Sequence, residues 1–112
     1  MKATFILKSM KKKYFEELAL YIKELRNRKK LKDESFAFQS RLHVNTINLI
    51  ERKQTIPTLP TLLMMVAALD MNIDDFFLTF HERFLKKYPT ANLKDPMLWY
   101  EPPKPRVKST RK

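Results

Sequence analysis

The stretch Glu34–Lys53, ESFAFQSRLHVNTINLIERK, decides the fold of this 112-residue chain. Its first half carries Phe36 and Ser40 four positions apart, and its second half carries Ile47 and Ile50 three positions apart. Each half therefore predicts a short helix with one inward face. Because helices this short are marginal in water, the pair needs other elements to pack against.

Helical patterns on both sides of this stretch supply such elements. From Tyr14 to about Lys29, apolar residues recur with the period of an amphipathic helix, at Phe15, Leu18, Ala19, Ile22 and Leu25. Downstream, Pro57 marks a connector, and Thr58 is the expected N-cap of a fourth helix, Leu59–Leu69. The residues of that helix predicted to face inward are Leu62, Leu63, Val66, Ala67 and Leu69.

A fifth helix is predicted from Asn72 to Tyr88, where Pro89 ends it. Asn72 and Asp75 have the spacing of a capping box at its start. The helix is richer in aromatic residues than a small core needs, so it predicts contact with a second copy through Phe77, Phe80 and Phe84. The alternative is that residues 5–7 or Trp99 cover this face.

The net charge of +11 is concentrated at the two ends of the chain. Residues 1–13 carry a net charge of +5, residues 14–80 carry a net charge of zero, and residues 81–112 carry +6. Basic ends favour a polyanion, most often nucleic acid, through counterion release. The alternative is that these lysines and arginines only keep the protein soluble.

The terminal segments are predicted to lie outside the helical domain. Residues 1–13 are a basic N-terminal arm, in which residues 3–7 fit either a short strand or a frayed lead-in, and Met10 is a second possible start of translation. Residues 89–112 are a Pro-rich basic tail, whose prolines exclude a helix and favour extended chain. An apolar anchor within the tail docks on its own domain or on a partner protein, through Met97, Leu98, Trp99 and Tyr100.

Composition excludes several classes of site. The chain contains no cysteine, which excludes disulfides and cysteine-ligated zinc, and no glycine, which excludes phosphate-cradling loops and dinucleotide fingerprints. Two scattered histidines leave no recognisable metal, cofactor or catalytic site, so we expect no enzyme activity. The longest apolar run, Leu62–Leu69, is far shorter than the roughly 20 residues that cross a bilayer, so we expect no membrane association.

A set of residues between Ile22 and Phe77 has the joint spacing of a known family. The set comprises Arg26, Leu31, Phe36, Ala37, Ile47, Ile50, Glu51, Pro57, Leu62, Ala67, Leu69 and the run Asn72 to Phe76. Through these residues the sequence resembles the Xre family of helix-turn-helix regulators, the Cro and lambda-repressor type. The resemblance implies an all-α, five-helix, lambda-repressor-like domain over residues 14–88, between the basic arm and the Pro-rich tail.

The resemblance also implies how the site works, because it places the third helix in the major groove of DNA. Asparagine can pair with adenine and apolar groups can contact thymine methyls, so the base-reading candidates are Val44, Asn45, Thr46, Asn48 and Leu49. The candidates for phosphate contact are Lys32, Arg41, His43, Arg52 and Lys53. In the family an ion pair joins the positions of Arg26 and Glu51, and the cost of burying either charge alone independently favours that pair.

Several positions depart from the family pattern, among them Lys32, which stands in place of a serine at the start of the second helix. Arg41 stands in place of the turn glycine, which predicts either a left-handed backbone or a different turn. Asp33 stands where the family has a phosphate-contacting glutamine, and its charge would repel a phosphate. His43 replaces a capping serine or threonine, and Lys53 replaces a glycine at the end of the third helix.

The leading interpretation is a cytoplasmic, sequence-specific DNA-binding regulator, a repressor that binds a palindromic operator on double-stranded DNA as a homodimer. One alternative is an antitoxin-type adaptor, which represses its own operon while residues 97–100 bind a partner protein. Another is a non-specific nucleic-acid or interaction module that has lost operator reading, as Asp33 and Arg41 suggest.

Overall fold

The structure, a computed structural model, describes the backbone of residues 2–100 and the side chains of residues 10–100. Within this range the chain forms six helices: α1 (Lys2–Arg28), α2 (Asp33–Ser40), α3 (Val44–Glu51), α4 (Leu59–Ala68), α5 (Ile73–Lys87) and α6 (Pro96–Trp99). No strand occurs among the described residues, and the prediction of an all-α fold is confirmed. The predicted tail beyond residue 100 lies outside the described range.

Helix α1 is longer than predicted and runs through the expected boundary between the basic arm and the domain. Its backbone is helical from Lys2 to Arg28, so the strand alternative for residues 3–7 is wrong. No glycine or proline in the first 13 residues interrupts the helix that begins before Tyr14. Residues 11–13 are therefore part of a helix that also carries core residues.

The core forms where α1 packs against α5. Phe76, Phe80 and Phe84 recur every fourth residue on one face of α5 and are at most 1% exposed. Tyr14 of α1 meets Phe80 and Phe84 edge-on at ring distances of 5.1 and 5.2 Å, and Tyr21 lies 5.2 Å from Phe76. The prediction that Phe80 and Phe84 contact a second copy is wrong, because the two tyrosines of α1 bury them.

Phe77 differs from its neighbours on α5. Its ring packs against the core but remains partly exposed, so it alone of the three predicted phenylalanines keeps an accessible edge. Outside the core, α5 is also held to α1 by ion pairs of Arg83 with Glu24 and of Lys87 with Glu17. The hydrogen bond from Arg83 lowers the pKa of Glu24.

Helix α6 folds back onto α1, which confirms that the anchor docks on its own domain. Leu98 is 2% exposed, and the Trp99 ring lies 4.8 Å from that of Tyr14. The prediction of extended chain is wrong for residues 96–99, because Pro96 occupies the first turn and Asp95 accepts a hydrogen bond from the Met97 amide at 3.0 Å. Leu98 is therefore not available to a partner protein.

Helix α4 buries a stripe rotated from the predicted one. Its buried residues are Leu62, Met65, Val66 and, at its end, Leu69. This is the i, i+3, i+4, i+7 spacing of a single helical face, which excludes Leu63 and Ala67 from the core. The predicted N-cap is confirmed, since the Thr58 hydroxyl accepts a hydrogen bond from the Thr61 amide at 3.4 Å. The predicted capping box of α5 is wrong, because the Asn72 side chain makes no capping bond.

A histidine-tyrosine contact between α1 and α5 gives the fold an acid-sensitive component. The Tyr14 hydroxyl and His81 Nε2 share a hydrogen bond of 2.7 Å. Burial lowers the pKa of His81 from 6.5, so the unfolded chain binds a proton at a pH where the folded chain does not. We therefore expect this contribution to stability to be complete above pH 6.5 and to fall as the pH drops further.

The measurement is the melting temperature between about pH 8 and pH 5, compared with that of His81→Gln. The wild-type protein should lose more stability on acidification than the variant. Equal losses would show that His81 does not contribute.

Candidate nucleic-acid interface

Helices α2 and α3 are joined by a turn that a non-glycine residue closes. Arg41 has φ 59° and ψ 39°, the left-handed conformation that one of the two sequence alternatives predicted. The turn is closed by hydrogen bonds from the Arg41 amide to the Phe38 carbonyl at 3.1 Å and from the Leu42 amide to the Ala37 carbonyl at 2.9 Å. The tight turn is thus retained, and the Arg41 side chain is exposed.

Helix α3, called the reading helix below, has one buried and one accessible face. Ile47 and Ile50 are at most 1% exposed and attach the helix to the core. The opposite face carries Asn45, Asn48, Leu49 and Arg52, whose spacing of i, i+3, i+4 and i+7 places them on one side of the helix. This face is therefore accessible to a large partner.

The other two base-reading candidates lie at the edges of that face. Val44 packs partly against the core, and Thr46 is half-buried. His43 occupies the N-cap position with extended backbone, and its side chain makes no capping hydrogen bond. The structure thus brings Asn45, Asn48 and Leu49 together on the accessible face, with Asn48 itself half-buried, and leaves Val44 and Thr46 beside it.

Basic side chains surround the reading helix. All five predicted phosphate contacts are exposed: Lys32, Arg41, His43, Arg52 and Lys53. Lys32 is the N-cap residue of α2, Arg41 and His43 are in the turn, and Arg52 and Lys53 follow the reading helix. Asp33, in the first turn of α2, accepts a hydrogen bond from the Glu34 amide at 2.8 Å, so part of its carboxylate is used locally.

The predicted ion pair between α1 and the reading helix is present. Arg26 donates from Nε and Nη2 to the two carboxylate oxygens of Glu51, at 2.7 and 3.0 Å. Its Nη1 also donates to the Leu31 carbonyl at 2.7 Å, which holds the turn between α1 and α2. The two side chains are only 11% and 6% exposed, so the pair fixes the angle of the reading helix from inside the domain.

The comparisons with known proteins agree with this geometry. Residues 22–76 match the model of the helix-turn-helix family. This segment is a helix-turn-helix of the Xre type. That type assigns the chain to the DNA-binding transcriptional regulators. The segment matched in this Xre-type protein begins in α1 and ends in α5, so it contains the reading helix and both partners of the ion pair.

A solved structure shares the fold. The chain is similar to a point mutant of the restriction-modification controller protein C.Esp1396I, with a TM-score of 0.57 and 23% sequence identity over 70% of this chain and 95% of that chain. No curated protein matches this chain in sequence.

Among the described residues, no group of histidine, aspartate and glutamate side chains is arranged to hold a metal ion. None of the helices described is long and apolar enough to cross a membrane.

Sequence reasoning missed one group of residues in this Xre-type protein. The structure places Lys11 and Lys12 of α1 around the same pocket as Lys53, at the end of the reading helix, and Tyr100, which follows α6. These residues are far apart in sequence, and no pattern along the chain joins them. Only the packing of α1 and α6 brings them together.

Proposed function

We propose that this protein is a cytoplasmic repressor that recognises a palindromic operator as a homodimer. The observation that carries the proposal is the accessible face of the reading helix, where two asparagines lie between exposed cations at both ends. A helix of this kind enters the major groove with its first residues toward base edges. The four lysines and arginines around it, together with His43, then bind phosphates and set the register of the helix on the duplex.

Within this arrangement the asparagines supply the specificity. Asn45 and Asn48 lie three positions apart on the accessible face, and an asparagine amide can pair bidentately with adenine. Leu49 is 37% exposed beside them and can contact a thymine methyl. Val44 and Thr46, at the edges of the face, make secondary contacts. The basic residues at both ends of the chain add sequence-independent affinity that falls steeply with salt.

The expected result for Asn48→Ala, and separately for Asn45→Ala, is a loss of about 1–3 kcal/mol in binding to the preferred duplex. Binding to unrelated duplexes should change little, because the phosphate contacts remain. Fluorescence anisotropy with labelled duplexes measures both affinities. Asn27→Ala is the matched control, since Asn27 is an exposed asparagine near the end of α1 and outside the reading helix.

Equal binding of all duplexes, both by the wild-type protein and by Asn45→Ala, would favour the non-specific module instead.

The antitoxin-type adaptor has lost support, because Leu98 is buried and Trp99 packs on α1. Only Met97 and Tyr100 of the predicted partner contact are exposed, at 49% and 51%. The controller protein that shares the fold is consistent with a regulator, although its likeness extends to the fold alone.

Support for a homodimer comes from an apolar stripe on α4. Leu59 and Leu63 lie one helical turn apart and are 62% and 41% exposed. A stripe that pairs with its own copy about a twofold axis gives the self-complementary interface that a palindrome requires. This stripe replaces the aromatic face of α5 as the proposed dimer surface.

Leu63→Glu should therefore convert the dimer to a monomer, because two carboxylates would face each other in an apolar interface. Sedimentation velocity over a range of protein concentrations measures the change. Leu78→Glu on α5 is the matched control, since Leu78 is also exposed and lies outside the stripe. A wild-type protein that sediments as a monomer at all concentrations would contradict the homodimer.

A further inference from the structure

A pocket of about 300 Å³ lies beside the end of the reading helix. Its floor is apolar and consists of Phe15, Leu18 and Ile22 from α1 and Ile50 from the reading helix. Ile56, in the connector to α4, forms one wall. Pockets of this volume with mostly apolar linings are typical of sites for small molecules.

The polar groups of the pocket are mainly cationic. Lys11, Lys12 and Lys53 contribute to its lining, and Glu16 is its only carboxylate among the described residues. The Lys11 ammonium also donates to the Trp99 carbonyl at 3.4 Å, which ties this side of the pocket to α6. An apolar floor with a cationic rim is complementary to a molecule with an apolar body and an anionic head group.

We propose that this pocket binds a small amphipathic anion, with its carboxylate at the lysine rim and its hydrocarbon body on the floor. At roughly 30 Å³ for each water-sized unit, the volume accommodates about ten non-hydrogen atoms. A carboxylic acid with a chain of eight carbons has that size. The composition of residues 101–112 makes them an unsuitable ligand for this rim. They contain five basic residues and one acidic residue, so their net charge is positive, like that of the lysines of the rim.

A ligand in the pocket would affect DNA binding through Lys53. This residue lines the pocket and, under the proposed function, also binds a phosphate at the end of the reading helix. A carboxylate paired with Lys53 competes with that phosphate, so the ligand lowers DNA affinity and DNA lowers ligand affinity by the same factor. This regulatory effect rests on the proposed function, whereas binding of the anion does not.

The test of the pocket uses the full chain without DNA and octanoate as the probe. Titration is followed by calorimetry and by the fluorescence of Trp99, the only tryptophan, which adjoins Tyr100 at the pocket edge. Octan-1-ol and octylammonium have the same hydrocarbon body without the negative charge. We expect saturable binding of octanoate that is about two- to fivefold tighter than binding of octan-1-ol. Octylammonium should bind more weakly than octan-1-ol, because the lysines of the rim repel it.

Variants identify the site. In Lys12→Gln/Lys53→Gln the preference for octanoate over octan-1-ol should disappear, because two cations of the rim are lost. Lys23→Gln/Lys86→Gln removes two exposed lysines that do not line the pocket, and it should retain the preference. Both substitutions are at exposed positions, and circular dichroism checks that each protein is folded.

Absence of saturable octanoate binding, equal affinity for octan-1-ol, or an unchanged preference in Lys12→Gln/Lys53→Gln would overturn the proposal. A second titration in the presence of the preferred duplex tests the regulatory effect. Octanoate that binds without lowering DNA affinity would overturn the coupling and leave the pocket assigned. If no duplex is preferred, the proposed function fails, and the titration without DNA still decides whether the anion binds.

Discussion

Arg26→Ala should lower the free energy of unfolding by about 3–5 kcal/mol, because it leaves the Glu51 carboxylate buried without its partner. Glu51 is only 6% exposed and accepts two hydrogen bonds from the guanidinium. The substitution also removes the donor to the Leu31 carbonyl, which weakens the turn into α2. Denaturation by urea, followed by circular dichroism, measures the loss.

Two further variants separate this effect from a general loss of positive charge. Arg28→Ala removes a nearby arginine that is 66% exposed and 3.9 Å from Glu24, so we expect a change within about 0.5 kcal/mol. Arg26→Met with Glu51→Leu removes both charges and should recover most of the lost stability. If Arg26→Ala and Arg28→Ala had equal effects, the pair would not hold the reading helix.

The second large effect is expected at Leu98, the buried residue of α6. Leu98→Ala should cost about 2–5 kcal/mol in the docking of α6, since a buried leucine is replaced by a cavity. Because α6 has only four residues, this loss should appear as local detachment before the domain unfolds. The emission of Trp99 reports it directly: the ring packs against Tyr14 when docked and enters water when released.

Met97→Ala is the matched control, because Met97 is in the same helix and 49% exposed. It should leave the emission of Trp99 and the urea midpoint close to those of the wild-type protein. An unchanged emission spectrum in Leu98→Ala would mean that α6 does not depend on this side chain for docking. The ion pair of the reading helix does not involve α6 and should remain intact in both variants.

The parts of the fold that follow from local pattern could be predicted from the sequence. The spacing of Ile47 and Ile50 is enough to orient the reading helix, because a short amphipathic helix has only one face to bury. The family resemblance implies the pair of Arg26 and Glu51, and the cost of burying either inward-facing charge alone favours it.

The parts that depend on tertiary packing could not be predicted in this way. The aromatic face of α5 has the pattern of an unpartnered surface until α1 is known to present Tyr14 and Tyr21 opposite it. Helix α6 is too short to show a hydrophobic periodicity. Its Pro96 gives no clear helix signal either, because proline occurs in extended segments as well as in the first turn of a helix. In α4, a nearly continuous apolar run leaves several possible stripes, so the sequence alone does not distinguish the buried Met65 from the exposed Leu63.

The candidate interface shows the same division. Asn45, His43 and the four lysines and arginines around the reading helix are exposed, and Asn48 is half-buried on the same face. Helix geometry fixes which side of a helix is accessible once its buried residues are known. The binding roles that the resemblance implies for these residues stay predictions. No sequence pattern predicts that Lys11 and Lys12 lie near Lys53. They come close to it because α1 continues as a helix through residues 11 and 12.

Under the proposed function, the reading helix recognises base pairs and the basic residues only strengthen the complex. Selection of bound sequences from a pool of random duplexes, at about 50 and 200 mM salt, tests this claim most directly. We predict one enriched motif with twofold symmetry and half-sites about one helical turn apart, present at both salt concentrations while overall affinity falls. A pool that remains random at both concentrations, with affinity lost equally for all duplexes, would contradict it.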